Sequence, residues 1–512
     1  MTIENLHPSF WVSSVKAKKY PEQQATVAVD VAIIGGGITG LTAATLLKRA
    51  GKTVAVIEAK TIGNSGVSSY TTAHLTEHLD TDYTDLLRNF SKEDAMRAAF
   101  SARYATALIE QWVEDFSIKC DFARVPGYYF TEKEEDVDSL RAEFESARSL
   151  GIDAALMQEA PLPFKVKAAV RFANQAQFHP TKYLVALAKQ LEGDGSYLFN
   201  GTRVLSVEQG EINQVQTDKG IVSAASVIVA THTPIELSIL QTELTPYRSY
   251  VIAIRPEKPQ METALFWDTE DPYHYIRRVK DKGEPLIIIG GEDHVTGDED
   301  DTESCFTALE AYARERFQFT DVEYSWSAQY YDSVDGLPYI GRSASAANLY
   351  LSTGYSGTGM TFGTFGGQLI SDLILGKENP CADLYSPGRF KPLAAAGNLI
   401  ESGLNVIGKF VGDRIAAPEA ESTSEIEPGE GKLMQHNGEK LAVYKDDDGK
   451  VYVMSAKCTH AKCIVHWNNA EKSWDCPCHG GRFDATGNVK NGPPTMALET
   501  RSLSDVAQPV AR

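Results

Sequence analysis

The run Val27-Ala28-Val29-Asp30-Val31-Ala32-Ile33-Ile34 leads directly into Gly35-Gly36-Gly37-Ile38-Thr39-Gly40. A near-continuous β-branched run of this kind reads as a strand buried on both faces of a parallel sheet. From Ile38 to Ala50 apolar residues recur at helical spacing, and Gly51 stands just past the end as a C-cap. A second apolar run, Thr53 to Ile57, stops at Glu58. Together they make one strand, helix, strand unit. Gly35-x-Gly37-x-x-Gly40 is a weak signal alone, but here it closes a strand, opens a helix and precedes an acid at the end of the next strand. Glycines let the backbone approach a pyrophosphate, the helix N-terminus faces its charge, and Glu58 can accept hydrogen bonds from ribose hydroxyls. The spacing does not separate FAD from NAD.

Working outward, 512 residues are too many for one core, and about 150 residues per domain suggests three folding units. A hydrophobic fraction of 43% with 23% charged residues is ordinary for a globular chain and excludes disordered, collagenous and membrane classes. No apolar run approaches the roughly 20 residues of a membrane helix. Met1 to Tyr20 shows neither a continuous apolar stretch nor a cleavage site, so a cytoplasmic location is expected. A net charge of -20 repels phosphates and anionic lipid, which argues against nucleic-acid and membrane partners.

Residues 95 to 115 predict an amphipathic helix. Strand-like runs such as Ser226 to Ala230, Tyr250 to Arg255 and Pro285 to Gly290 dominate 160 to 330, the pattern of a mixed α+β substrate lobe. Asn348 to Ser352 reads as a strand and Thr364 to Leu375 as a helix, flanking a glycine-rich loop. Leu399, Leu404, Ile407, Phe410 and Val411 form an apolar stripe expected to pack on the main body. Residues 415–430, acidic and holding Pro418 and Pro428, predict a solvated linker.

Cys120, Cys305 and Cys381 are scattered, whereas Cys458, Cys463, Cys476 and Cys478 crowd together near the C-terminus. Cys458-Thr459-His460 and Cys476-Pro477-Cys478-His479 pair two thiolates with two imidazoles. That set suits a 2Fe-2S cluster with cysteines on one iron and histidines on the other, and the same residue types also suit zinc. His74-Leu75-Thr76-Glu77-His78 has the spacing of a zinc-peptidase helix but no third ligand, and is read as part of the nucleotide-binding region.

The opening Asp30 to Gly40, Phe178-His179-Pro180, Thr231-His232-Thr233, Asp335 to Gly341 and Gly354-Tyr355-Ser356-Gly357-Thr358-Gly359-Met360, in this order, resemble the D-amino acid oxidase and glycine oxidase family. The two Cys/His motifs resemble the Rieske family, and the whole resembles bacterial flavin oxidoreductases with a fused Rieske domain. The fold implied is α/β and α+β: an FAD-binding Rossmann-like domain with an interleaved mixed-sheet substrate domain, plus a small all-β Rieske domain. Its boundaries would be 1–414 for the flavoprotein (nucleotide segments about 27–80, 170–235 and 335–378) and 431–512 for the Rieske unit. The first resemblance implies non-covalent FAD held by Gly35, Gly37, Gly40, Glu58, Thr71, Thr72, Val204, Gly354, Gly359 and Met360. It places Arg248, Tyr250, Trp326, Tyr331 and Tyr355 as candidate substrate contacts. The second implies Cys458, His460, Cys476 and His479 as iron ligands, with Cys463 and Cys478 in a disulfide.

Gly481 and Phe483 stand where high-potential Rieske proteins carry a serine and a tyrosine that donate to the cluster and its cysteine. A potential well below the top of the roughly -150 to +300 mV Rieske range is therefore expected. The implied chemistry is oxidation of an amine or amino acid by hydride transfer to flavin. The cluster would pass electrons singly to an external one-electron carrier. A reductase or monooxygenase fed through the cluster, and a non-enzymatic electron carrier or redox sensor, stand as alternatives. The sequence leaves substrate, partner, oligomeric state and resting position of the Rieske domain open.

Overall fold

The computed structural model describes residues 8–235, 239–257, 261–344, 346–389 and 417–502. The expected apolar stripe of 399–411 and the 414 boundary lie outside the described residues.

Val27–Ile34 is a strand, helix Ile38–Arg49 follows it, and Val54–Ile57 returns parallel to the first strand, pairing Val31 with Val54 and Ile34 with Ile57. Ile221–Val229 lies parallel on the other side, then Leu349–Thr353, so this sheet gathers strands from distant parts of the chain. Its buried rows of Val, Ile and Ala need cover on both faces. The helix Gly359–Ile374 supplies part of it, crossing Ile38–Arg49 closely because Gly363 and Gly367 bring their backbone against Ile38 and Thr42. That helix begins five residues before the expected Thr364, since its glycines mask the apolar period but serve the packing.

The predicted helix of 95 to 115 spans Lys92–Asp115, with the Ser91 hydroxyl accepting from Asp94 N. The substrate lobe is a second, nine-stranded sheet whose edge runs Phe319–Ser333, Leu244–Pro256, Glu284–Val295 and Tyr275–Asp281. Alternation along Leu244–Pro256 divides its side chains: Tyr250, Ile252 and Ile254 enter the core beneath helix Thr302–Arg316, while Val251 and Ala253 enter a second core with Trp11 and Trp326.

The C-terminal unit is all β, with a three-stranded sheet (Glu430–His436, Glu439–Lys445, Val451–Ser455) and a four-stranded one ending at Val489–Asn491. The acidic stretch expected as a free linker is folded from residue 417 onward. Glu419 and Ala420 donate to Leu433 O, and Ala420 and Ile426 are buried with Met434 and Val443. The two apolar residues outweigh the acidic composition, whose carboxylates point outward.

This unit is docked on the flavoprotein part. Thr302 Oγ1 lies within hydrogen-bond distance of Asn468 Oδ1 and Asn469 Oδ1, at 2.8 and 2.7 Å, Gln329 Nε2 donates to Gly480 O at 2.9 Å, and Tyr331 Oη donates to His479 O at 3.0 Å. Between these contacts Glu471 is buried against Arg248 and Ser327.

Candidate active site and metal centre

A cavity of about 770 Å³ runs from the glycine turn to the substrate sheet and continues along the docked domain. Its volume is that of a large-ligand site. At one end lie Gly35, Gly37, Glu58 and Val204; further along come Thr71, Thr72, Gly359 and Met360. Gly35 has φ +110°, and a Cβ there would lie 2.4 Å from Ala230 O. Glu58 is held in place by Gly36 N and Lys60 N, each at 2.9 Å. Gly40 does not line the cavity; a Cβ there would meet Gly35 O at 2.0 Å, so it serves the close crossing of helix and strand. Gly354 also lies outside the lining and supplies a turn at φ +72°.

The candidate substrate contacts separate. Tyr250 is buried under Phe306, its hydroxyl 3.0 Å from His294 Nε2, and Trp326 donates from Nε1 to Tyr70 O inside the second core. Neither lines the cavity. An aromatic on a strand carries the same sequence signal in a core as in a site, and alternation puts both in cores. Arg248, Tyr331 and Tyr355 do line it: Nη2 of Arg248 is engaged by Ser327 and Glu471 while its Nε is buried without a hydrogen-bond partner, Tyr331 is engaged by His479 O, and Tyr355 by Thr39 Oγ1 at 2.9 Å.

The sequence reading missed the far end. Ser249, Tyr273, Tyr275, Tyr330, Ser356 and Gly357 line it, and three carboxylates stand behind them. Asp80 accepts from Gly357 N at 2.9 Å and Tyr273 Oη at 3.3 Å, Asp293 accepts from Tyr330 Oη at 2.9 Å, and Asp332 lies against Ser356. Burial, with the charge of Asp80 added, pushes Asp293 up to about 7 and Asp332 up to about 8. No lysine or arginine among the described residues pairs with any of the three. The alternation Tyr273-x-Tyr275 and the Tyr330-Tyr331-Asp332 run were the available signals. The Rieske unit adds Glu471, Arg482, Lys490, Asn491, Gly492 and Pro494 to the lining, which no local pattern announces.

In that unit Cys458 and Cys476 are buried side by side, and the rings of His460 and His479 stand 5.1 Å apart. Nδ1 of both histidines and Nε2 of His460 are buried without a hydrogen-bond partner, an unfavourable state that iron ligation by the imidazoles would relieve. Cys463 and Cys478 are bonded to each other at 2.10 Å, as the resemblance implied. These residues fit a 2Fe-2S cluster with Cys458, Cys476, His460 and His479 as ligands. His74 and His78 do not share a helix: His74–Leu75 is a short strand, and His78 Nε2 lies 3.0 Å from Glu143 Oε1. The peptidase pattern is absent from these positions.

Known proteins agree with both halves. A family model described as FAD dependent oxidoreductase (DAO) matches residues 30–373, and one for the Rieske [2Fe-2S] domain matches 418–502. The chain is 31% identical over 499 residues to the Rieske 2Fe-2S iron-sulfur protein YhfW of Bacillus subtilis (strain 168), covering 97% of each. It is 23% identical over 388 residues to gamma-glutamylputrescine oxidoreductase of Escherichia coli (strain K12), covering 73% of this chain and 90% of that one. Among solved structures, glycine oxidase from Geobacillus kaustophilus superposes with a TM-score of 0.60 at 21% identity, over 71% of this chain and 99% of its own, which bears on fold. With the glycine turn opening a cavity of FAD size and the paired cysteines and histidines buried beside it, the chain belongs to the DAO family of FAD dependent oxidoreductases and carries a C-terminal Rieske [2Fe-2S] domain.

Proposed function

We infer that the substrate is a cationic amine, oxidised at the carbon beside its nitrogen, with electrons leaving singly through the cluster to an external one-electron carrier. The carrying observation is the far end of the cavity, where Asp80, Asp293 and Asp332 stand behind tyrosines without an arginine or lysine, and where the nearby cations His78 and His274 are already engaged by Glu143 and by Asp268 and Glu292. Buried carboxylates are costly when unpaired, and an ammonium group offsets both their desolvation and their mutual repulsion. Tyr273, Tyr275 and Tyr330 add ring faces that attract a cation. Arg248, the residue suited to a substrate carboxylate, already has its charge matched by Glu471. This favours an amine over an α-amino acid bound through its carboxylate. The name of the E. coli relative, an oxidoreductase of an amide of putrescine, points the same way.

Gly35, Gly37 and the N-terminus of Ile38–Arg49 would hold the FAD pyrophosphate, Glu58 its ribose and Val204 its adenine, while Gly359 and Met360 border the ring. Bound FAD supplies the two-electron acceptor and the cluster a one-electron relay. The protein's part is to bind and orient. Asp293 and Asp332, raised to about 7 and 8 by burial, lie behind the lining against Tyr330 and Ser356, where their negative charge would attract the ammonium group. Tyr330 keeps Asp293 in place through its hydroxyl.

The test is anaerobic mixing of the purified holoprotein with monoamines, diamines and amino acids, following flavin bleaching optically and the reduced cluster by electron paramagnetic resonance. Bleaching by amines followed by the cluster signal supports the reading. Bleaching by amino acids alone, or reduction only through the cluster from a ferredoxin reductase system, overturns it.

A further inference from the structure

A free acidic linker would let the Rieske domain swing between flavin and partner. The docked interface has another character. Glu471 is 7% exposed and lies between Arg248 of the flavoprotein part, itself 2% exposed, and Arg482 of its own domain. Ser327 donates to the same carboxylate, and Arg482 is further held by Asp475 at 2.9 Å. Undocking would expose Glu471 and leave the Arg248 guanidinium without its acid. On the far side Thr302 is buried against Asn468, Asn469 and Ala470 N, fixing the 468–472 hairpin to the start of helix Thr302–Arg316.

The two clamps hold a contact between them. Tyr331 lines the FAD cavity, and its hydroxyl donates to the backbone oxygen of His479, one of the cluster ligands. Gln329 Nε2 joins the same hydroxyl at 2.9 Å and Gly480 O at 2.9 Å, and the His232 ring packs on the Tyr331 ring at 4.7 Å. Gly480 permits this approach. It has φ +67°, and a Cβ there would lie 2.8 Å from the Tyr331 hydroxyl.

We propose that Tyr331 is the positioning residue joining the FAD cavity to the cluster ligand His479, and that electrons cross while the Rieske domain stays docked. Each crossing takes one electron from the reduced flavin to one ferric iron, breaking no bond and releasing the accompanying proton to water. The second electron follows once an external one-electron carrier has reoxidised the cluster. The proposal deepens the electron routing proposed above, and it is tested without any amine, so failure of the substrate class would leave it standing.

The experiment flash-photoreduces the flavin of the holoprotein with EDTA as donor and times cluster reduction optically, with the cluster spectrum recorded by electron paramagnetic resonance. In the doubly substituted T302C/N469C protein, an oxidised cross-link joins positions whose side chains already touch. The cross-linked form is expected to reduce its cluster at the wild-type rate. Failure to do so until the bridge is cut, with wild type unaffected by the same reductant, overturns the docked route. Tyr331→Phe is expected to slow the crossing about tenfold and to shift the cluster spectrum through the lost bond to His479 O. A wild-type rate in this variant overturns the role of Tyr331. If the cysteine pair loses either cofactor, solution scattering of wild type decides: equal radii in oxidised and reduced states support the docked route, and expansion on reduction refutes it.

Discussion

Glu471 reaches across the domain boundary to Arg248, with Oε2 2.5 Å from Nη2, and so neutralises the cation expected from sequence to face substrate. Burial opposes ionisation of Glu471, but Arg248 and Arg482 overcome it and hold the carboxyl well below the ordinary glutamate value. Glu471→Ala leaves the buried Arg248 guanidinium without its acid, while Arg482 keeps Asp475, and is expected to destabilise the docked form by about 3–5 kcal/mol. Glu471→Gln, which keeps hydrogen-bonding capacity, should cost less. Chemical denaturation of the holoprotein, read separately at flavin and cluster, measures both. A carboxyl depressed in the folded state contributes fully above about 4.3 and loses its contribution as pH falls through the folded value. Docking should therefore persist through mild acid, and the Gln variant should lose this acid dependence.

Asp293 and Asp332 predict the opposite dependence. A carboxyl raised by folding contributes fully below about 4, and that contribution is lost as pH rises through the folded values of about 7 and 8. A bound cation restores it. Thermal stabilisation by a saturating amine is expected to be larger at pH above 8 than at pH 6. Asp293→Asn should raise the stability of the amine-free protein at alkaline pH and weaken amine binding about tenfold, or ~1.4 kcal/mol. Equal thermal shifts at both pH values would remove the carboxylates from recognition.

At the cluster, a Cβ on Gly481 would point at Cys458 Sγ from 3.5 Å, with Pro494 Cδ at 2.7 Å. A hydroxyl placed there would donate to the sulfur, which stabilises the reduced cluster. Gly481→Ser is expected to raise the midpoint potential, provided the Pro494 ring shifts to admit it. The wild-type midpoint should lie well below the top of the roughly -150 to +300 mV range. Redox titration of both proteins settles both statements.

The glycine turn offers a sharper contrast. Gly40→Ala would drive a Cβ against Gly35 O and is expected to abolish FAD loading by disrupting the turn, whereas a Cβ at Gly37 meets in the protein only Ser68 Oγ, at 2.9 Å, but faces the proposed pyrophosphate site, so Gly37→Ala is expected to weaken FAD loading while leaving the turn intact. The flavin-to-protein ratio of each purified variant, with the cluster signal as the control for folding, checks the difference.

Much of this was legible because it is local. The strand, turn, helix and acid of the nucleotide site lie within Val27 to Glu58, and the residues proposed as cluster ligands within two short motifs. What was not legible is what depends on distant chain segments meeting. Tyr250 and Trp326 could not be sorted from site residues because their fate turns on which sheet face meets helix Thr302–Arg316. The acidic look of Glu419 to Glu430 concealed two buried residues, Ala420 and Ile426, that tie it into the C-terminal fold. Glu471 and Tyr330 became interpretable only once the docked domain and the far carboxylates were located.

The loop that brings Gly492 and Pro494 over the cluster ligands also closes a stretch of the FAD cavity. Retention of flavin is therefore expected to depend on a formed Rieske domain. A host impaired in cluster biosynthesis would accumulate a chain whose last domain is poorly formed, and flavin would escape through the gap left behind. Loss of yellow colour would then report a defect in iron supply.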